Sequence, residues 1–225
     1  MLFRSLNASG PKLVDVADSA TELNTEFGTP DLLEGAYLMD DLTGEGTEQS
    51  PYLITSADDL TLMANNINNG IGTSAYYKLT NNIDLNGKEW TPIGYHDSSK
   101  GNATAFSGTF DGGNYTVSNF VITKANTDYI GFFGLVTDGT IKNLNIDNAV
   151  IDFASSSTQR LYVGVVVGRL ITTEAGSLAS ITHCNVTNSS VKASSHGTIR
   201  AGGIAGIAIS GRFENSRVLL AFLNA

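Results

Sequence analysis

Apolar residues recur along this chain at two different periods, and the change between them divides it. In "TSADDLTLMANNINNG", Leu60, Met63, Ala64 and Ile67 fall at i, i+3, i+4 and i+7, on one face of a helix. Ser56 with Asp59 three residues on has the form of a capping box, and Asn69-Gly70 is a stop. The pattern predicts a helix over about 56–68. From Tyr76 the period drops to two. "YYKLTNNIDLNGKEWTPIG" alternates at Leu79, Ile83 and Leu85 and turns at Asn86-Gly87. "FSGTFDGGNYTVSNFVI" repeats the theme around Asp111-Gly112-Gly113. Residues 1–43 carry no convincing period and read as a leader or linker with room for one strand. "TGEGTEQSPY" (43–52) is a turn-rich boundary, and 44–225 reads as one domain.

The β pattern repeats. "VSNFVI" (117–122), "IKNLNI" (141–146), "ITHCNV" (181–186) and "FENSRV" (213–218) align with apolar first and sixth positions. Their third positions are Asn119, Asn143, His183 and Asn215, and successive copies are offset by 24, 40 and 32 residues. Three copies follow a glycine-spaced segment: "YIGFFG", "VGVVVG" and "AGGIAG". A repeat of this size buries its apolar face only by stacking on the next copy. Without helical periodicity, and with many β-branched residues, the expected fold is all-β: a right-handed parallel β-helix, a solenoid of coils over about 76–218 behind an N-terminal capping helix. In such a fold Val117, Ile141, Ile181 and Phe213 share one interior column. Asn119, Asn143, His183 and Asn215 form a structural ladder at a corner, because Asn enters the left-handed region cheaply and its amide can bond along the stack. Glycines at 131, 134, 164, 168, 203 and 206 are read as tight corners and close backbone approach.

These residues resemble the GLUG repeat, with its Gly-Leu-aliphatic-Gly core, and the β-helical region that contains it in bacterial surface proteins. "VGVVVG" and "AGGIAG" look like that core, "ITHCNV" looks like the segment after it, and the resemblance covers roughly 44–218. His183, Val165 and Ser216 depart from it, and "RVLLAFLNA" leaves the pattern, as an apolar plug or as a truncated coil with an open edge. The resemblance implies an exported or cell-surface bacterial protein, adhesin-like, or a non-catalytic part of an immunoglobulin-A-specific metallopeptidase. It carries no catalytic residue. It also implies that Trp90 and Ile93 cap the core.

Charge narrows the partners. Thirteen Lys and Arg stand against 22 Asp and Glu, a net −9 with a pI near 4.6. Nucleic acid and anionic membrane surfaces need clustered basic residues, so neither is an expected partner. Gly (24) and Asn (20) are abundant, as many tight turns require. No apolar run reaches the ~18 residues of a membrane span, and the start lacks the apolar stretch of a signal peptide. Any export signal would lie outside this segment. Five Asn-x-Ser/Thr sequons are what chance gives in such a composition.

Candidate chemistry is sparse. His96, His183 and His196 form no His-Glu-x-x-His, so no zinc peptidase site is expected, and no catalytic residue is assigned. Cys184, alone in the chain, reads as a small core hydrophobe in a slot shared with Phe120 and Leu144. Asp58-Asp59 suits a helix N-terminus. Asp40, Asp41, Asp84 and Asp111 together raise calcium as a candidate, but no Asp-x-Asp-x-Asp spacing supports it; otherwise no cofactor or metal is expected. In "EWTPIGYHDSSKGNATAF" a polar loop offers Tyr95, His96 and Lys100 as candidate ligand contacts, against a plain connecting loop. The expected function is a non-catalytic adhesion or binding module with a host protein or carbohydrate as partner. The alternatives are an accessory region of a larger secreted peptidase or polysaccharide-active enzyme, and a structural spacer.

Overall fold

Among the described residues the first strand is Tyr52–Ile54, and every strand is short, two to six residues. The computed structural model describes residues 42–98, 101–219 and, for the backbone alone, 222–224. The expected leader 1–43 lies almost wholly outside the described residues, as do Asp40 and Asp41. Among the described residues one helix, α1 (Ala57–Asn68), interrupts the strands. Ser56 Oγ accepts from the Asp59 amide at 3.1 Å, and Asp59 Oδ2 accepts from the Ser56 and Thr55 amides at 3.0 and 2.8 Å. Its apolar face, Leu60, Met63, Ala64 and Ile67, is buried. Gly70 ends it with a φ of +82°.

The strands are parallel and lie in five sheets that the chain visits in turn. The first contains Tyr52–Ile54, Tyr76–Leu79, Thr109–Asp111, Thr140–Lys142, Ser180–Thr182 and Arg212–Glu214. The second runs Ile83–Asp84, Thr116–Ser118, Asn145–Asp147, Asn185–Thr187 and Arg217–Leu219. Three more sheets follow, built on Val150–Ser155, on Leu161–Gly164 and on Val167–Ile171. Each passage of the chain therefore lays one layer on the last, about 4.8 Å away. A two-stranded antiparallel hairpin, Tyr95–Asp97 with Asn102–Thr104, stands outside this scheme. Among the described residues the parallel sheets form no closed barrel.

Register explains the core. Tyr77, Phe110, Ile141 and Ile181 occupy one column and are buried. Ile83, Val117, Ile146 and Val186 occupy the next. Each such side chain withdrawn from water contributes roughly 2 kcal/mol. This corrects the alignment of hexapeptides. Ile141, Ile181 and Phe213 do share a column, but Val117 stacks on Ile146 instead, and Phe110 fills the slot assigned to it. The layer turns at two left-handed asparagine corners, Asn143 and Asn148. "VSNFVI" therefore fits "IDNAVI" (146–151) as well as "IKNLNI", and the register pairs it with the former. "DGGNY" (111–115) separately adds two residues between Phe110 and Val117. Phe120 correspondingly lies beside Ala149 rather than Leu144, since Val121 pairs with Val150.

Glycine serves close approach more than unusual dihedrals. A Cβ on Gly168 would lie 2.5 Å from the Ile130 nitrogen, and one on Gly131 would lie 2.2 Å from the Gly164 oxygen. The fourth and fifth sheets therefore meet backbone to backbone. Gly203 differs, facing the Val218 side chain. Trp90 lies over Phe132 at 5.0 Å and 9°, donates to the Phe132 carbonyl at 2.9 Å, and with Ile93 closes the core beneath that junction.

Candidate functional site

The ladder residues are structural in geometry. Asn119, Asn143, His183 and Asn215 all have left-handed φ, from +48° to +59°. Asn143, His183 and Asn215 follow paired strands and stack at one corner. Asn119 belongs to a different corner, where the Asn148 amide donates to its Oδ1 at 2.7 Å. Each carboxamide also ties one layer to another: Asn143 Nδ2 donates to Asp111 Oδ1 at 2.9 Å, and Asn119 Nδ2 to Asp84 Oδ1 at 2.8 Å. Asn215 Nδ2 and His183 Nε2 are 3.1 Å apart. These bonds hold the Asp84 and Asp111 carboxyls below their ordinary pKa. For Asp84 the Asn119 amide is the main cause; for Asp111 burial opposes the shift, and Asn143, Gly113, Lys142 and Lys78 outweigh it. Cys184 is buried, and burial raises its thiol to about 11.

The segment carrying Tyr95, His96 and Lys100 is a hairpin rather than a loop, with His96 opposite Ala103 and Asp97 opposite Asn102. Lys100 lies outside the described residues. The end of α1 sets where the hairpin begins, because the Gly94 amide donates to Asn68 Oδ1 at 2.8 Å and Asn68 Nδ2 donates to the Pro92 carbonyl at 3.0 Å. Residues 127–129 fix its other side. The Thr127 hydroxyl and Asp128 amide donate to the His96 carbonyl at 2.7 and 2.8 Å. The His96 Nδ1 and Asp128 Oδ2 atoms are 2.8 Å apart, and the Ser98 amide donates to the same oxygen at 3.0 Å. The His96 ring stacks on Tyr129 at 4.8 Å. Arg169 Nη1 in turn donates to the Tyr129 hydroxyl at 2.5 Å.

A cleft of about 270 Å³ opens where this hairpin meets the loops of two successive layers, 123–128 and 155–161. Asp97 and Asp128 supply carboxylates to its wall, Asn126 and Gln159 supply amides, and Ser155 to Ser157 supply hydroxyls. Both carboxylates are largely buried: Asp97 is 8% exposed and the Asp128 side chain 13%. The 155–161 loop is held from the following layer, where Ser195 Oγ donates to the Ser157 carbonyl at 2.8 Å. Of the three residues expected to touch a ligand, His96 meets the cleft wall through Asp128, and Tyr95 is not part of that wall. Asp97, Asp128 and the serines were not singled out in the sequence. Their one signal was that "TKANTD" and "SSSTQR" fall after equivalent strands, so stacking places one loop above the other. Among the described residues no three His, Cys, Asp or Glu side chains gather in a group able to hold a metal ion.

No family model matches the sequence. The chain is 32% identical over 132 residues to a protein of Evansella cellulosilytica described as a Gly-rich membrane protein, a match over 56% of this chain and 14% of that protein. It is also 32% identical over 159 residues to halomucin of Haloquadratum walsbyi, a match over 66% of this chain and 2% of halomucin. It thus spans a small fraction of either relative. Its fold resembles that of a Bacteroides ovatus protein assigned as an immunoglobulin A1 protease, with a TM-score of 0.50 and 24% identity over 78% of this chain and 58% of that one. No helix among the described residues is long and apolar enough to cross a membrane.

Proposed function

We propose that the chain is a non-catalytic, right-handed parallel β-helix module of the GLUG type, belonging to a surface or secreted bacterial or archaeal protein, that binds a host protein or glycan. The observation that supports it best is the succession of in-register parallel pairs: each sheet gains one strand per passage, and loops from successive layers line up on one side. Stacked layers give stiffness along the axis, and the aligned loops supply a continuous outer surface free of core duties. The printed descriptions of the relatives, a Gly-rich membrane protein and a halomucin, favour an extracellular or cell-surface setting.

The test is a binding screen of the purified 225-residue chain against immobilised glycans and host extracellular proteins, with incubation of the same ligands to detect cleavage. Specific retention without turnover is expected. Turnover, or uniform silence in both panels, would sink the reading; silence favours a spacer.

A further inference from the structure

One face of this acidic chain is basic. We infer that the outer surface of the strands Leu161–Gly164, Val167–Ile171 and Ile199–Gly202, where Arg160, Arg169 and Arg200 surround Tyr162, is a binding site for an acidic saccharide. This rests on the module reading above and specifies its ligand.

Alternation and register gather these side chains. Leu161, Val163 and Leu170 are buried in the core, so Tyr162 and Arg169 face outward, and Arg160 precedes Tyr162 by one strand period. Arg200 pairs with Tyr162 in the next layer, and its guanidinium carbon stands 5.9 Å over the Tyr162 ring. Arg169 stands likewise 5.3 Å over Tyr129, the ring that packs against Tyr162 at 5.5 Å. Three of the chain's six arginines thus meet on two adjacent layers. Among the described residues no carboxylate forms an ion pair with any of them. The strand partners of Arg169 and Arg200, which are Leu135, Ile207 and Tyr162, carry no acid either.

Chemistry selects the ligand class. Arg169 and Arg200 are steadied by aromatic rings rather than by carboxylates, so their charge is oriented yet not neutralised. Arg169 shows this most clearly, because Nη1 donates to the Tyr129 hydroxyl while the buried Nε has no hydrogen-bond partner. A half-buried cation of this kind gains from an incoming anion. A carboxylate or sulfate group meets a guanidinium with two parallel hydrogen bonds. The net −9 acts only weakly beyond the screening length of about 8 Å at physiological salt, so the arginines decide at contact. A saccharide is favoured over an acidic peptide. Peptides commonly add to a free sheet edge, and the strands Leu161–Gly164 and Val167–Ile171 are already paired on both sides. Recognition is left to side chains, and the Tyr162 hydroxyl can both donate to and accept from sugar hydroxyls beside the charge.

Titration calorimetry on the full chain, with trigalacturonate, lactose 3′-sulfate, maltotriose and a hexaglutamate peptide as probes, tests this. At least one acidic saccharide should bind, and less tightly as salt rises, with maltotriose and hexaglutamate weaker by about tenfold or more. The two acidic saccharides separate carboxylate from sulfate as the group recognised. Arg160→Gln and Arg200→Gln, both at exposed positions, should each weaken binding about two- to fivefold, and together by about tenfold or more, without moving the thermal midpoint. Equal binding of maltotriose or of hexaglutamate, or an affinity unchanged in the double variant, overturns the assignment. So does retention of a host protein by a chain that binds no acidic saccharide, an outcome that leaves the module reading standing. Silence toward proteins and saccharides alike overturns both.

Discussion

The layer at 140–171 and the layer that starts at Arg212 follow one plan with opposite outcomes. Ile141 and Ile146 are fully buried, and their counterparts Phe213 and Val218 are 42% and 40% exposed. The slots are the same in backbone and register. What differs is the next layer, which covers the first pair; among the described residues none is laid over the second. A repeat thus specifies where an apolar side chain points, while its contribution to stability is conferred by a neighbour. The opposite end of the stack makes the same point, since there α1 supplies the cover with Leu60, Met63, Ala64 and Ile67.

The contrast can be broken most forcefully in the interior. Ile181→Ala should cost about 2–5 kcal/mol in denaturant unfolding, because it leaves a cavity between two layers. Phe213→Ala, although it deletes a larger group, should cost about 1 kcal/mol, since that ring is already partly in water. Equal or reversed losses would show that stacking does not set the energetics. Gly168→Ala belongs with the severe group: its Cβ meets the Ile130 and Tyr129 backbones at 2.5 and 2.6 Å, and about 1–3 kcal/mol or more is expected. Gly176→Ala, with no neighbour within 4 Å but a φ of +93°, should cost only about 1 kcal/mol.

Corners give a finer comparison. Asn143→Ala loses both a left-handed preference and the bond to Asp111, for about 1–2 kcal/mol. Asn143→Gly should recover the backbone share alone. If Gly and Ala variants melt together, backbone strain is not what Asn supplies there.

Acid reads the same corner. The folded pKa of Asp111 is depressed, so its contribution is present above the ordinary carboxylate range and is lost as pH falls through the folded value. Asp111→Asn should therefore melt below wild type at neutral pH, with the gap closing on acidification. A gap independent of pH would contradict the assignment. The smallest signal is Cys184, whose amide donates to Ser216 Oγ in the outermost layer at 3.1 Å. Its iodoacetamide labelling should be slow and should be accelerated more by Phe213→Ala than by Ile141→Val, if the last layer opens locally. Labelling that follows global unfolding in both variants would mean that the stack opens as one unit.

Legibility in the sequence followed the range of the interaction. The capping box at Ser56 and Asp59 and the left-handed corners at Asn143 and His183 involve residues a few positions apart, and the sequence carries them openly. Val117 was misplaced for an equally physical reason. Its hexapeptide has the right apolar spacing for either of two asparagine corners, Asn143 or Asn148, and nothing local says which of them it stacks on. The candidate cleft was harder still. His96 drew attention through its residue type, but Asp128 is 32 positions away and Ser156 in another layer.

By itself, then, the amino-acid sequence determined the alternation, the helix with its cap, and which residues can turn left-handed, because propensity and periodicity act over a few residues. The tertiary structure alone decided the register between layers, which apolar slots are covered, and the meeting of Asp97, Asp128 and the 155–157 serines. Those depend on how far each loop carries the chain before the next strand pairs, a sum over distant segments that no local pattern contains.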